Sequence, residues 1–398
     1  MKISKTTVFS AALAIFACAA TAQQAATPAA QKTEAAEAAT QNEDRSYLAD
    51  YEGKAASVTL FDEKTKSESV AAFKSATDSD IVFVGGGGDI AVSKKKPSSL
   101  KVVVKPDNNW LRIRSAIGRE NWDEAIVYMR PFVYPLIPLM SINHETFKGN
   151  SYLEMYLNAL VNANRMKEAV SIVDALKLGE VAPSLVSSAL NVAEALAKSG
   201  DKKGALAILE HIPFSGDYTA VIPDMLSVLS ELRNRGAVQE CGVLYTKLTG
   251  VDSPQKNEAT LWMVYCDLSM GKKMSAEIYL NQISIDAKSP EFSLLKMAQG
   301  MLAAKADKPD YNAVLDAYAE GIVFGSLTSS WMPELLYNTG MAYKKIGKQF
   351  AANEIFAQMK ALFPDNALTA KGQKEIVKIE RKPKKAAASE DDEDEDDE

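Results

Sequence analysis

Two histidines, His144 and His211, are the only imidazoles in this 398-residue chain. His144 falls in a turn ahead of a helical run and His211 at a helix end beside Pro213, places where a lone histidine serves structure. Helix-borne zinc hydrolysis needs H-E-x-x-H, serine acyl transfer needs G-x-S-x-G and dithiol redox chemistry needs C-x-x-C. None of these spacings occurs. Gly85-Gly86-Gly87-Gly88 offers backbone amides that could cradle an anion, but a phosphate loop ends in Gly-Lys-Ser/Thr, and here Asp89-Ile90-Ala91-Val92 follows. That run reads as a hairpin loop. Glycoside cleavage would need two carboxylates facing across a cleft, whereas pairs such as Asp123 and Glu124 fall on polar helix faces. The expectation is a protein with no catalytic residue, cofactor or metal.

The ends of the chain set its compartment and charge. Lys2 and Lys5 precede an apolar run from Thr7 to Ala20 that closes in Ala20-Thr21-Ala22, the pattern of a secretory signal peptide over residues 1–22. The run is too short for a membrane-spanning helix, which needs about 20 apolar residues. Cys18 offers a lipid-anchored alternative, although Phe16 suits lipoprotein cleavage poorly. Residues 23–50, rich in Ala, Gln, Thr and Glu, are predicted to be a disordered linker. Residues 369–388 form a basic helix end and linker, with Lys371, Lys374, Lys378, Arg381, Lys382, Lys384 and Lys385. Residues 389–398 are predicted to be an acidic disordered tail, in which Glu390 to Glu398 are nine consecutive carboxylates. The net charge is −7, so the chain ahead of those nine carries +2. A nearly neutral body argues against nucleic acid as a partner. Beyond the leader only Cys241 and Cys266 remain; as small apolar residues they need no function, and a disulfide between them stays open.

Positioning falls to a repeat. From Pro333 to Pro364, Gly340 and Tyr343 stand in one helical run, Gly347 in a turn, and Ala352 and Phe356 in a second run that Pro364 closes. Small residues let two antiparallel helices approach where they cross, and the aromatic residues fill the groove beside them. The pattern recurs around Ala125, Ala169, Ala205, Cys241, Ala276 and Ala313, with Ala193 as the small first-helix partner of Ala205. Successive anchors through Ala352 are 44, 36, 36, 35, 37 and 39 residues apart. This unit resembles the tetratricopeptide (TPR) repeat. The resulting expectation is an all-α chain: an α-solenoid of about seven TPR-like hairpins over residues 107–368, with a small strand-bearing or poorly ordered segment at 51–106. Within that segment Ser57–Phe61, Ile81–Val84, Ile90–Ser93 and Leu100–Val104 read as strands, and Glu63–Ser75 as a short helix.

The resemblance implies a concave face that grips a peptide or partner protein. Its groove-facing places fall on Glu154, Asn158, Asn162, Asn191, Glu194, Lys198, Arg233, Asn234, Tyr265, Tyr337, Met341, Lys344 and Lys345. Asn158 and Asn191 resemble part of a carboxylate clamp, but its basic residues fall at Pro223 and Ser227, so no ligand carries over. The expected function is a protein-binding scaffold in the bacterial cell envelope, exported to the periplasm; the alternative is an exported hydrolase or glycan-binding protein with its site in residues 57–104.

Overall fold

The computed structural model describes residues 45–105 and 109–378. The expected signal peptide, the acidic tail and Arg381 to Lys385 lie outside the described residues. The all-α class is wrong. Six strands, β1 (Ser57–Asp62), β2 (Ser67–Ala76), β3 (Asp80–Gly85), β4 (Gly88–Ser93), β5 (Leu100–Val103) and β6 (Phe147–Lys148), join in the order β4-β3-β2-β1-β5-β6. All pairings are antiparallel except β5 with β6. Alternation drives burial: in β3, Ile81 and Phe83 are fully buried while Val84 between strands' ends faces out. The segment expected as a short helix is β2, because Ser67–Ala76 gains ladder partners on both sides, and such tertiary pairing overrides the weak local preference of Ala, Ser and Lys. The glycine run closes the β3–β4 hairpin, where Gly85 pairs with Gly88.

The remainder is helical and compatible with a solenoid. Fourteen helices form seven pairs: α1 (Trp110–Gly118) with α2 (Trp122–Val133), α3 (Asn150–Asn162) with α4 (Met166–Ala175), α5 (Pro183–Ser199) with α6 (Lys202–Glu210), and α7 (Ile222–Asn234) with α8 (Val238–Thr249). Then come α9 (Lys256–Ser269) with α10 (Lys273–Gln282), α11 (Phe292–Ala304) with α12 (Tyr311–Phe324), and α13 (Met332–Lys345) with α14 (Gln349–Leu362), followed by α15 (Ala367–Lys374). Ala125, Ala169, Ala193, Ala205, Cys241, Ala276, Ala352 and Phe356 are each 0% exposed, Gly340 is buried, Tyr343 is half-buried and Pro364 is exposed.

The backbone repeats as well. Six of the seven intra-pair turns place one residue in the left-handed region: Glu120, Asn164, Gly200, Gly236, Gly271 and Gly347. Each stands five positions before a buried small residue of the second helix, namely Ala125, Ala169, Ala205, Cys241, Ala276 and Ala352. A left-handed residue ends one helix and reverses the chain, and glycine adopts it without strain. The long first step has a structural cause: between α2 and α3 the chain inserts a 3₁₀ segment (Tyr134–Leu139), shaped by Pro135 and Pro138, and then β6. Because β6 pairs with β5, the sheet and the helical stack share one core.

Residues 45–50, read as the end of a linker, are seated on the helices. The Arg130 guanidinium lies 3.7 Å from the Tyr47 ring centroid, and Tyr51 stacks on Tyr134 at 4.8 Å. Beneath them Glu168, 0% exposed, accepts Arg130 Nε and Nη2 at 3.0 and 2.9 Å, the Tyr134 hydroxyl at 2.9 Å and the Tyr156 hydroxyl at 2.5 Å. Burial and the neighbouring Glu168 charge push both tyrosine hydroxyls well above their ordinary range, so they act as donors at any physiological pH.

Candidate partner-binding groove

First helices of successive pairs touch directly. Ser187 Oγ on α5 donates to Asp224 Oδ2 on α7 at 2.6 Å, and Ser227 Oγ on α7 donates to Glu194 Oε1 on α5 at 3.3 Å. Beside this junction an open cleft of about 410 Å³ is lined by Glu194, by Pro223, Leu226, Ser227, Ser230 and Glu231, by Gln255, Glu258 and Trp262, and by Ser330. Three consecutive first helices, α5, α7 and α9, therefore build one cleft. Seven of its ten lining residues are polar, and Pro223, Leu226 and Trp262 supply the apolar part of the wall.

Trp262 is held from behind. Arg233, only 4% exposed, places its guanidinium 3.4 Å from the Trp262 ring centroid and 5.2 Å from that of Tyr265. Arg233 Nη1 donates to the Tyr245 hydroxyl at 3.2 Å and Nη2 to Ser230 Oγ at 3.3 Å, while Nε has no hydrogen-bond partner among the described residues. Trp262 Nε1 donates to Glu258 Oε1 at 3.3 Å, and its ring meets Trp331 edge-on at 6.3 Å. The Tyr265 hydroxyl bonds Glu334 on α13, two pairs further along.

Burial holds the carboxyl groups of Glu258 and Glu334 above the ordinary glutamate value of 4.5, and the Arg233 charge and hydrogen bonds from Trp262 and Tyr265 only partly offset it. Groups whose folded-state values are raised contribute stability that is complete below the unfolded value and is lost as pH rises through the folded one. The expected result is that the denaturation midpoint falls more steeply above pH 4.5 in the native chain than in a Glu258→Gln/Glu334→Gln variant. Equal slopes in the two proteins would contradict this arrangement.

Of the residues expected in the groove, Glu194 lines the cleft, whereas Arg233 and Tyr265 stand behind and beside its tryptophan. Arg233 is a correction: its long side chain finds aromatic faces inside the stack, so it is buried instead of solvent-facing. Glu154, Asn158 and Asn162 sit on α3, away from the cleft, with Asn162 Nδ2 bonded to Asn158 Oδ1 at 2.7 Å. Asn191, Lys198 and Asn234 are exposed, and Lys198 pairs with Glu194 at 3.0 Å. Tyr337, Met341, Lys344 and Lys345 occupy the last pair, where Lys344 pairs with Glu375. Sequence reasoning put Pro223 and Ser227 at groove positions, where both line the cleft, but missed Ser230, Glu258 and Trp262. Ser230 and Trp262 each stand three positions before a residue that was singled out, on the same helix face, so extending the reading one turn toward each helix N-terminus would have found them.

Cys241 and Cys266 are free and buried. Burial pushes both thiols up to about 12, so little thiolate exists near neutrality. Iodoacetamide at pH 8 is expected to leave both unmodified in the folded chain and to alkylate both in denaturant, by intact-mass analysis; rapid native labelling would contradict their burial. A second cleft, of about 490 Å³, lies between residues 48–55, Phe73 and Lys74 of β2, and the 3₁₀ segment, with Glu52 as its one lining carboxylate.

No protein-family model matches the sequence, and no curated protein matches it either. No helix among the described residues is long and apolar enough to cross a membrane.

Proposed function

We propose that this chain is a non-catalytic, TPR-type protein-interaction scaffold of the bacterial cell envelope, whose groove takes an extended segment of a partner protein. The observation that carries this reading is the cleft built jointly by α5, α7 and α9. A surface made from equivalent faces of consecutive helical pairs presents regularly spaced polar groups to a linear ligand. Serine hydroxyls at Ser227 and Ser230 and the amide of Gln255 can donate to and accept from a peptide backbone, and Trp262, backed by Arg233, offers a rigid ring for a side chain to pack on. The signal-peptide pattern expected over residues 1–22 is the ground for placing this role in the envelope.

Filling the cleft tests the reading. Chemical cross-linking in intact cells, followed by purification and mass spectrometry, is expected to recover a reproducible partner with the native chain. A Ser227→Arg/Ser230→Arg variant of unchanged helicity should reduce that recovery at least tenfold. Full recovery with the blocked cleft would overturn the assignment of the groove.

A further inference from the structure

We infer that the acidic segment 390–398 folds back onto the basic end of the last helical pair, so that the chain supplies its own occupant for that surface. The inference rests on the charge map and does not require the groove to have a partner.

Three helix ends converge there. Lys344 and Lys345 stand in the last turn of α13, Lys348 at the start of α14, and Lys371 and Lys374 in the last turn of α15. They are held together by the Lys344–Glu375 ion pair, by Gln373 Nε2 donating to the Phe356 carbonyl at 2.6 Å, and by Asn353, which bonds the Val377 carbonyl at 2.7 Å and accepts its N–H at 3.2 Å. Among the described residues the side chains of Lys345, Lys348, Lys371 and Lys374 form no hydrogen bond or ion pair, and all four are exposed. Over residues 332–378 seven lysines face four carboxylates, Glu334, Glu354, Asp365 and Glu375, and Glu334 and Glu375 are already engaged by Tyr265 and Lys344. The 14-residue α14 begins with no acidic residue in its first turn and no side-chain cap, which adds the positive end of its dipole to the same patch.

The complement lies on the same chain. Glu390 stands 12 positions beyond Lys378, a span of up to ~40 Å when extended. The helices of the last pair, at 14 residues each, are about 21 Å long, so nine carboxylates can reach every lysine named. Arg381, Lys382, Lys384 and Lys385 are nearer in sequence, but four charges leave at least five carboxylates unbalanced. Exposed contacts of this kind weaken as salt shortens the screening length, about 10 Å at 0.1 M.

Zero-length carbodiimide cross-linking of the full chain at low salt, read by mass spectrometry of the monomer band, tests this. Links from residues 390–398 to Lys345, Lys348, Lys371 or Lys374 are expected, and should fade at 0.5 M salt. Links confined to Lys382, Lys384 and Lys385, or found only between molecules, would overturn it. A second measurement uses a fluorescent peptide of residues 389–398 and a full-length chain whose nine acidic residues are replaced by Gln and Asn. The peptide should bind that chain at least tenfold more tightly than the native one, and lose binding when Lys345, Lys348, Lys371 and Lys374 are changed to Gln. Equal affinity for native and neutralised chains, or binding indifferent to the four lysines, would refute the docking.

Discussion

Glu168→Gln is expected to cost the helical unit about 3–5 kcal/mol, the usual penalty for removing one partner of a buried ion pair. The size follows from what would be left behind. Arg130 would keep its charge, because a guanidinium does not deprotonate in a protein, and it would lose the carboxylate that now offsets its burial. It would face a neutral amide able to accept at only one atom, and the Tyr134 and Tyr156 hydroxyls, which now converge on Glu168, would compete for it. Leaving a buried donor unpaired costs a further 1–3 kcal/mol. The variant Arg130→Met/Glu168→Leu/Tyr134→Phe/Tyr156→Phe should recover most of the loss, because it removes both charges together with the two hydroxyls that would otherwise lose their acceptor. Urea denaturation followed by circular dichroism distinguishes the cases, and a Glu168→Gln protein with native stability would show that the network carries little. The same network explains why residues 45–51 are held: Tyr47 covers the Arg130 face.

Phe356→Ala is expected to cost about 3–5 kcal/mol, as for other fully buried aromatic truncations. The ring is enclosed on two sides by glycines. A Cβ at Gly340 would come within 2.5 Å of it and one at Gly372 within 2.8 Å, so α13, α14 and α15 all close around this one side chain. Gly340→Val should be damaging for the opposite reason, since overpacking forces the helices apart at a cost of about 1–3 kcal/mol. In a stack of repeats each pair leans chiefly on its neighbours, so the damage should be local. Hydrogen exchange is predicted to accelerate in α13 to α15 while α3 to α6 keep native protection; uniform acceleration would show that the stack unfolds as one unit.

What was legible in the sequence was whatever depended on local spacing. Ala125, Ala205 and Ala352 reveal themselves because a small residue must recur wherever two helices cross closely, and Gly347 marks a turn that favours a left-handed residue. Strands β1, β3, β4 and β5 were visible as short β-branched runs. β2 and β6 were not. The Ala, Ser and Lys of β2 have no strand preference of their own, and Phe147-Lys148 is too short to read without its partner Val102-Val103. Long-range pairing of this kind leaves no periodic trace, which is why an all-helical class was inferred for a chain in which residues 57–103 supply five strands of a six-stranded sheet. In the groove, Glu194 was found by family spacing, but the burial of Arg233 depends on Trp262 lying over it, a contact between pairs that neither residue announces alone.

The central claim is that the face shared by α5, α7 and α9 receives a partner. Photo-cross-linking in cells, with a benzophenone amino acid placed singly at Ser227, Ser230 or Glu277, tests it most directly, because Glu277 is exposed on the second helix α10 and lines none of the cleft. Adducts of one discrete mass at Ser227 and Ser230, and none at Glu277, are predicted. The same adducts at all three positions, or none at the two serines, would contradict the scaffold reading of this groove.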